Sequence, residues 1–160
     1  MRAYILFLIL ALIYSLKISK KGIQFIKEIE KCKLEAYQKY GKWRIGWGTT
    51  NKDVDITGKR ITKGLKINQT VADRWFKKAI KRREMAVNKY SNYKFNQNQF
   101  DALVSFAYGD GNLKNLTDRG KRSIDSIANY ITYFNKTVDG KFNQDLANRR
   151  QAEKRLYLTK

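Results

Sequence analysis

Glu30-Lys31-Cys32-Lys33-Leu34-Glu35-Ala36-Tyr37, followed closely by Gly41-Lys42-Trp43-Arg44-Ile45-Gly46-Trp47-Gly48-Thr49-Thr50, carries the change of period that decides the fold. Upstream of it, Ile23, Ile26 and Ile29, with Phe25 beside them, recur at helical spacing, so residues 18–31 predict an amphipathic helix. Within the stretch the period drops to two. Trp43, Ile45 and Trp47 alternate with Arg44 and Gly46, while Gly41, Gly48 and Gly58 punctuate the run. That pattern predicts a small sheet of short hairpins over residues 34–62.

Downstream the helical period returns. Asn68 is the N-cap expected for a helix running to about Tyr90, with Asp73 early in it and Trp75, Phe76, Ala79 and Ile80 as its apolar face. A second helix is expected from Asn96, with Phe100, Leu103, Val104 and Ala107 inward, stopped by Gly109-Asp110-Gly111. Two more are expected over residues 123–135 and 146–158. The sequence has no internal repeat or low-complexity tract. The expected class is α+β: an N-terminal helix and a small antiparallel sheet, then a mainly helical lobe.

Composition narrows the chemistry. The 160 residues hold 34 Lys and Arg against 14 Asp and Glu, a net charge of +20, with no His and no Pro. A surface so basic predicts an anionic partner: nucleic acid, anionic lipid or an envelope polymer. An aromatic content of 13% argues against a disordered tail. The absence of His excludes imidazole catalysis and His-ligated zinc, and the single Cys32 excludes an internal disulfide, a redox pair or a multi-Cys metal site. Chemistry therefore falls to carboxylates, hydroxyls, Lys, Tyr or one thiol, with no cofactor expected. On the long helix, Arg74, Lys77, Lys78, Lys81 and Arg82 fall on one stripe. A solvated face accounts for it most simply. As a footprint it suits envelope polymer ahead of nucleic acid, given the export-type N-terminus, and the aromatics beside it read as the inward face.

At the N-terminus, Arg2 precedes an apolar run from Ala3 to Ile13, extended by Tyr14, Ser15 and Leu16 before Lys17, Lys20 and Lys21. This has the form of a secretory signal core and is short for a membrane span of roughly 17–25 residues. Ser15-Leu16-Lys17 makes a poor cleavage site. Residues 1–16 are therefore expected to be a signal peptide or signal anchor, holding the protein to the membrane through residues 3–16 if uncleaved, with one domain over 17–160. Without the leader, 33 basic residues face 14 acidic ones, a net +19, so the basicity belongs to the domain. Export to the periplasm, cell wall or medium is the expectation.

The opening stretch resembles the phage-type lysozymes, or endolysins, of glycoside hydrolase family 24, which read E-G-x-x-L-x-A-Y and then G-x-W-T-I-G-Y/W-G-H/T-T. Lys63-Gly64-Leu65-Lys66-Ile67, Asn98-Gln99-Phe100-Asp101-Ala102-Leu103-Val104-Ser105-Phe106-Ala107-Tyr108 and Asn148-Arg149-Arg150-Gln151-Ala152-Glu153 extend the resemblance, in order, over about residues 20–158. The resemblance implies a muramidase that hydrolyses the β-1,4 bond of peptidoglycan between N-acetylmuramic acid and N-acetylglucosamine. It places the general acid at Glu30 and, at Arg149, an Arg that pairs with that Glu. Tyr37, Thr49, Thr50 and Asp53 are expected as supporting or substrate-binding residues. Physically, Glu30 sits at the end of a helix, where the dipole's negative pole disfavours a further negative charge.

The departures are as specific as the matches. Nine residues after the catalytic Glu the family has Asp or sometimes Cys, and this sequence has Lys39. The family's Thr in W-T-I-G is Arg44, and the loop before Gly41 is one residue shorter. Glycoside hydrolysis ordinarily uses two carboxylates, and cations at these places oppose an oxocarbenium-like transition state. Glu35, Asp53 and Asp55, all expected in the sheet, are the candidates for a substitute carboxylate. Two alternatives stand beside the muramidase. One is a catalytically impaired lysozyme fold that binds peptidoglycan or envelope polyanions; the other is a basic nucleic-acid or membrane-surface protein. A monomer with no specific nucleic-acid partner is expected.

Overall fold

The computed structural model describes residues 15–160. The expected leader lies outside the described residues except for Ser15 and Leu16. No helix among the described residues is long and apolar enough to cross a membrane. Leu16 already engages the domain: its N–H donates to Asn88 Oδ1 at 3.1 Å, and Asn88 Nδ2 donates to its carbonyl at 2.9 Å.

Helix α1, Lys20–Glu30, starts where the Ser19 hydroxyl accepts from the Gly22 N–H at 3.0 Å. It ends because Lys31 turns to φ 55°, its N–H still closing onto the Lys27 carbonyl. Ile26 is its fully buried anchor. The chain then enters a three-stranded antiparallel sheet, β1 (Lys33–Lys39), β2 (Lys42–Gly46) and β3 (Thr49–Thr50), in the order β1-β2-β3. Tyr40 and Gly41 join β1 to β2, both at positive φ (54° and 71°), as a two-residue hairpin turn of matching twist requires. In the register Tyr37 faces Arg44 and Lys39 faces Lys42, with an irregularity between Lys33 and Tyr37. On the other face of the sheet, Ile45 packs with Ile61 and Trp75 in a small core of its own.

The expected sheet stops earlier than residue 62. After β3 the chain makes a 3₁₀ turn at Asn51–Asp53 and a short helix α2, Val54–Thr57. The Thr50 hydroxyl accepts from the Lys52 N–H at 3.3 Å, and Asp55 sits in the first turn of α2. Local capping thus overrides the alternation, and Asp53 and Asp55 are helical residues, not sheet residues as expected.

Helix α3, Gln69–Asn88, is capped by the Asn68 side chain on the Val71 N–H, and it buries Trp75, Phe76, Ala79, Ile80 and Val87. Its basic stripe is exposed at Arg74, Lys77, Lys78 and Lys81. Helix α4, Gln97–Tyr108, opens with a capping box between Asn96 and Gln99 and is buried on nearly every side from Phe100 to Phe106. A short helix α5 (Leu113–Leu116), not anticipated from the sequence, leads to α6 (Ile124–Ile131) and α7 (Gln144–Leu158). Helix α4 is the centre of the main core, with Ile26 of α1, Phe76 and Ile80 of α3, Ile127 and Ile131 of α6, and Leu156 and Tyr157 of α7 around it. The observed architecture is the α+β arrangement expected from the sequence.

Phe106 illustrates how closely that core is fitted. It is fully buried, meets Phe134 edge-on at 5.0 Å between ring centroids, and lies under the Arg150 guanidinium at 4.5 Å. Phe106→Ala is expected to cost about 3–5 kcal/mol, measured as a lowered midpoint in urea at unchanged slope.

Candidate active site

Glu30 is the last residue of α1, and its side chain points back into the molecule with 7% exposure. Arg149 Nη1 donates to Glu30 Oε1 at 2.5 Å, joining residues from opposite ends of the chain. Gly48, at φ 83°, lies directly against the Glu30 carboxylate, and a Cβ there would collide with it. The glycine is thus required both by its backbone angle and by the close approach.

Arg149 belongs to a buried network. Its Nε donates to Glu153 Oε1 at 2.9 Å and its Nη2 to the Ser105 carbonyl at 3.1 Å. Glu153, with no exposure, also accepts from Ser105 Oγ at 2.7 Å and Arg150 Nη1 at 2.5 Å. Arg150 in turn donates to the carbonyls of Phe134 (3.1 Å) and Gly109 (2.6 Å). Two carboxyl groups and two guanidiniums therefore share one hydrogen-bonded network in the interior. Burial alone would lower the Arg149 guanidinium, but the charges of Glu30 and Glu153 raise it, and it stays protonated. The Tyr108 hydroxyl is pushed up, first by burial and then by the charges of Glu30 and Asp53, so it remains a donor, to the Trp47 carbonyl at 2.6 Å.

An open groove of about 400 Å³ exposes this pair, with Glu30, Tyr37, Lys39, Asp145, Asn148 and Arg149 on its walls. Burial raises the Tyr37 hydroxyl, with the Glu30 charge adding to it. Lys39 reaches across to Asp145 at 3.7 Å. A second cavity of about 320 Å³ lies beside it, lined in part by Tyr40, Lys42, Arg44, Lys52, Asp110 and Tyr133. Arg44 is buried, with one long hydrogen bond to the Gly48 carbonyl (3.4 Å) and an ion pair to Asp110 (3.6 Å). Its Nε, like Thr49 Oγ1, has no hydrogen-bond partner among the described residues. Lys42 and Lys52 also meet Asp110, at 3.0 and 2.9 Å.

The structure thus gathers Glu30, Arg149 and Tyr37 at one groove, whereas Thr49 and Thr50 are buried in β3, just after the Gly48 that abuts Glu30, and do not line it. Asp53 lies elsewhere: it is buried and held by Arg83 at 2.7 Å and Arg82 at 3.3 Å. Asp55 pairs with Arg82, and Glu35 pairs with Lys66 on the surface. None of the three acids considered as substitutes lines the Glu30 groove. Sequence reasoning overlooked Glu153, Asp110 and Asp145. For Asp145 a signal was present, since it precedes Arg149 by four residues and so shares its helix face.

The family model described as phage lysozyme matches residues 27–153. The endolysin of Lactococcus phage c2 is 34% identical over 146 residues, covering 89% of this chain and 60% of the relative, so the chain spans under two thirds of that protein's length. The SAR-endolysin of Haemophilus phage HP1 (strain HP1c1) is 34% identical over 159 residues, covering 89% of this chain and 81% of the relative. Among solved structures, the muramidase domain of SpmX from Asticaccaulis excentricus superposes with a TM-score of 0.69 at 28% identity, covering 90% of this chain and 99% of that one.

Two measurements follow from this geometry. Glu153→Ala leaves two buried guanidiniums short of a counter-charge and is expected to cost about 3–5 kcal/mol in denaturant unfolding. Asp110 titrates differently. Burial would raise its carboxyl, but hydrogen bonds and charge from Lys52 and Lys42 outweigh burial and hold it down to about 2. Its ion pairs therefore add stability above the ordinary carboxylate range, and that stability is lost as pH falls through about 4 toward 2. The stability difference between wild type and Asp110→Asn should accordingly shrink by roughly 2 kcal/mol over that window, read from urea midpoints at each pH.

Proposed function

Because the chain belongs to the phage lysozyme family, we propose that it is a muramidase, cleaving the β-1,4 bond between N-acetylmuramic acid and N-acetylglucosamine in peptidoglycan. The observation that carries this reading is the Glu30–Arg149 pair: a nearly buried carboxyl, fixed by a guanidinium that is itself fixed by Glu153, opening onto a groove. Glu30 serves as the acid that protonates the glycosidic oxygen, and Arg149 holds it in position. A rigidly placed acid removes the need to order it in each turnover. Tyr37, on the groove wall, contacts the sugar, and Thr49 and Thr50 pair with Ile45 and Arg44 of β2 and so brace the sheet.

The domain acts outside the cytoplasm, on the cell wall, with residues 1–16 as the export signal or anchor and residues 17–160 as the catalytic unit. The exposed basic stripe of α3 adds attraction to anionic wall polymers that is sensitive to salt. A zymogram on purified peptidoglycan tests the reading. Wild type is expected to clear, and Glu30→Gln is expected to lose activity by on the order of 100-fold or more with its fold intact by circular dichroism. Clearing that survives Glu30→Gln would remove Glu30 from the acid role.

The other expectation, a wall-binding protein without turnover, is not favoured by the endolysin and muramidase relatives and rests on two sequence departures. Lys39 and Arg44 stand where the family has its Asp and Thr, and Arg44 is buried close to Gly48, which itself abuts Glu30. No clearing by wild type, together with retention on insoluble wall at moderate salt, is the outcome that selects it.

A further inference from the structure

The groove at Glu30 contains one other carboxylate. Asp145 stands in the first turn of α7, one helical turn before Arg149, and lines the same groove as Glu30. The dipole of α7 favours negative charge at that place. Two groups orient it: the Tyr40 hydroxyl donates to Asp145 Oδ2 at 3.2 Å, and Lys39 Nζ lies 3.7 Å from the same oxygen. Burial first, and then the charge of Asp145 itself, push the Tyr40 hydroxyl up, so its proton stays on Tyr40 and remains available to the carboxylate. Asp145 keeps 66% of its side chain exposed, so water and a glycan strand can both reach it.

We propose that Asp145 is the second catalytic carboxylate, moved from the sheet wall of the groove to its helical wall, with Lys39 as the cation left on the opposite side. The inference rests on the muramidase reading and assigns the role that reading leaves open. In the reaction Glu30 gives its proton to the glycosidic oxygen as the C1–O bond breaks, and the bond's electron pair leaves with that oxygen. The oxygen of a water forms the new bond to C1, and the proton it sheds passes to Asp145. Exchange with solvent then removes one proton from Asp145 and returns one to Glu30, leaving both groups as they began. Such a step needs two carboxyls, and Glu30 and Asp145 are the two that line this groove. Lys39 does not cancel the arrangement, because an exposed pair at this separation is weak and is screened by solvent.

The assignment is tested with the purified full chain, by measuring release of reducing ends from peptidoglycan. Asp145→Asn should lower kcat by on the order of 100-fold with little change in KM. An exposed surface residue predicts little change in Tm, which separates this loss from unfolding. The double variant Lys39→Asp/Asp145→Asn returns a carboxylate to the opposite wall and should recover at least tenfold over Asp145→Asn alone. A rate for Asp145→Asn within twofold of an active wild type would overturn the assignment while leaving the muramidase reading in place. A wild type that releases no reducing ends would overturn both.

Discussion

The carboxylate of Glu153, fully buried and shared between Arg149 and Arg150, is the interaction on which the site depends. Burying an isolated charge is prohibitive, and burying a pair is tolerable only when hydrogen bonds satisfy what remains. Here they do. Ser105 supplies a hydroxyl to Glu153, and the guanidiniums find the carbonyls of Ser105, Gly109 and Phe134. Lysine in place of either arginine fails, because one ammonium cannot reach three acceptors set in fixed directions on separate segments. They are Glu30, Ser105 and Glu153 for Arg149, and Gly109, Phe134 and Glu153 for Arg150. The same network therefore docks α7 onto α4, closes off the end of α4 and aims Arg149 at Glu30.

Charge in this protein is arranged in two different ways. In the interior near Glu30 acidic and basic groups interleave, and although burial would lower the Arg149 guanidinium, Glu30 and Glu153 beside it raise it. At the surface the signs do not interleave, and the exposed face of α3 carries Arg74, Lys77, Lys78 and Lys81 without alternating acids. The two arrangements act over different distances. The buried pairs are hardly screened and fix geometry, whereas the surface excess acts over about a Debye length, roughly 8 Å at physiological salt, and governs encounter with an anionic polymer.

Much of the fold was legible because its signals are local. The Asn68 and Asn96 caps, the isoleucine period of α1 and the alternation through Trp43, Ile45 and Trp47 each express a preference settled within a few residues, and each produced the expected element. The sheet was overextended because alternation past Thr50 competes with a capped turn, and a hydroxyl positioned to accept from Lys52 wins locally. The site was only half legible. Glu30, Arg149 and their pairing across 119 positions are implied by the resemblance, whereas Ser105 and Glu153, which fix Arg149 from behind, were not singled out. Asp110 looked like part of a helix stop, and only the packed structure brings Lys42, Arg44 and Lys52 onto it.

That last cluster changes the meaning of the two departures. Viewed along the sequence, Lys39 and Arg44 place positive charge where a developing cation needs the opposite. In three dimensions each faces an acid from the helical part of the chain: Asp145 lies 3.7 Å from Lys39, and Asp110 lies 3.6 Å from Arg44. Neither acid lies near its cation in sequence, so no reading of local composition would pair them. Each acid offsets part of the positive charge that the sheet strands present, although Lys31 and Lys33 also line the Glu30 groove and Lys42 and Lys52 share Asp110 with Arg44. The two pairs still differ in kind. Arg44 is buried with its Nε unsatisfied, so its charge is fixed in place and incompletely compensated. Lys39 and Asp145 are solvated and free to move apart, at a cost of about 1 kcal/mol or less. A carboxylate released so readily can serve an incoming sugar or water, whereas the Asp110 carboxylate, gripped by three cations, cannot. The sites of apparent loss are therefore unequal: one is occupied by a rigid cation, and at the other the acid has changed walls.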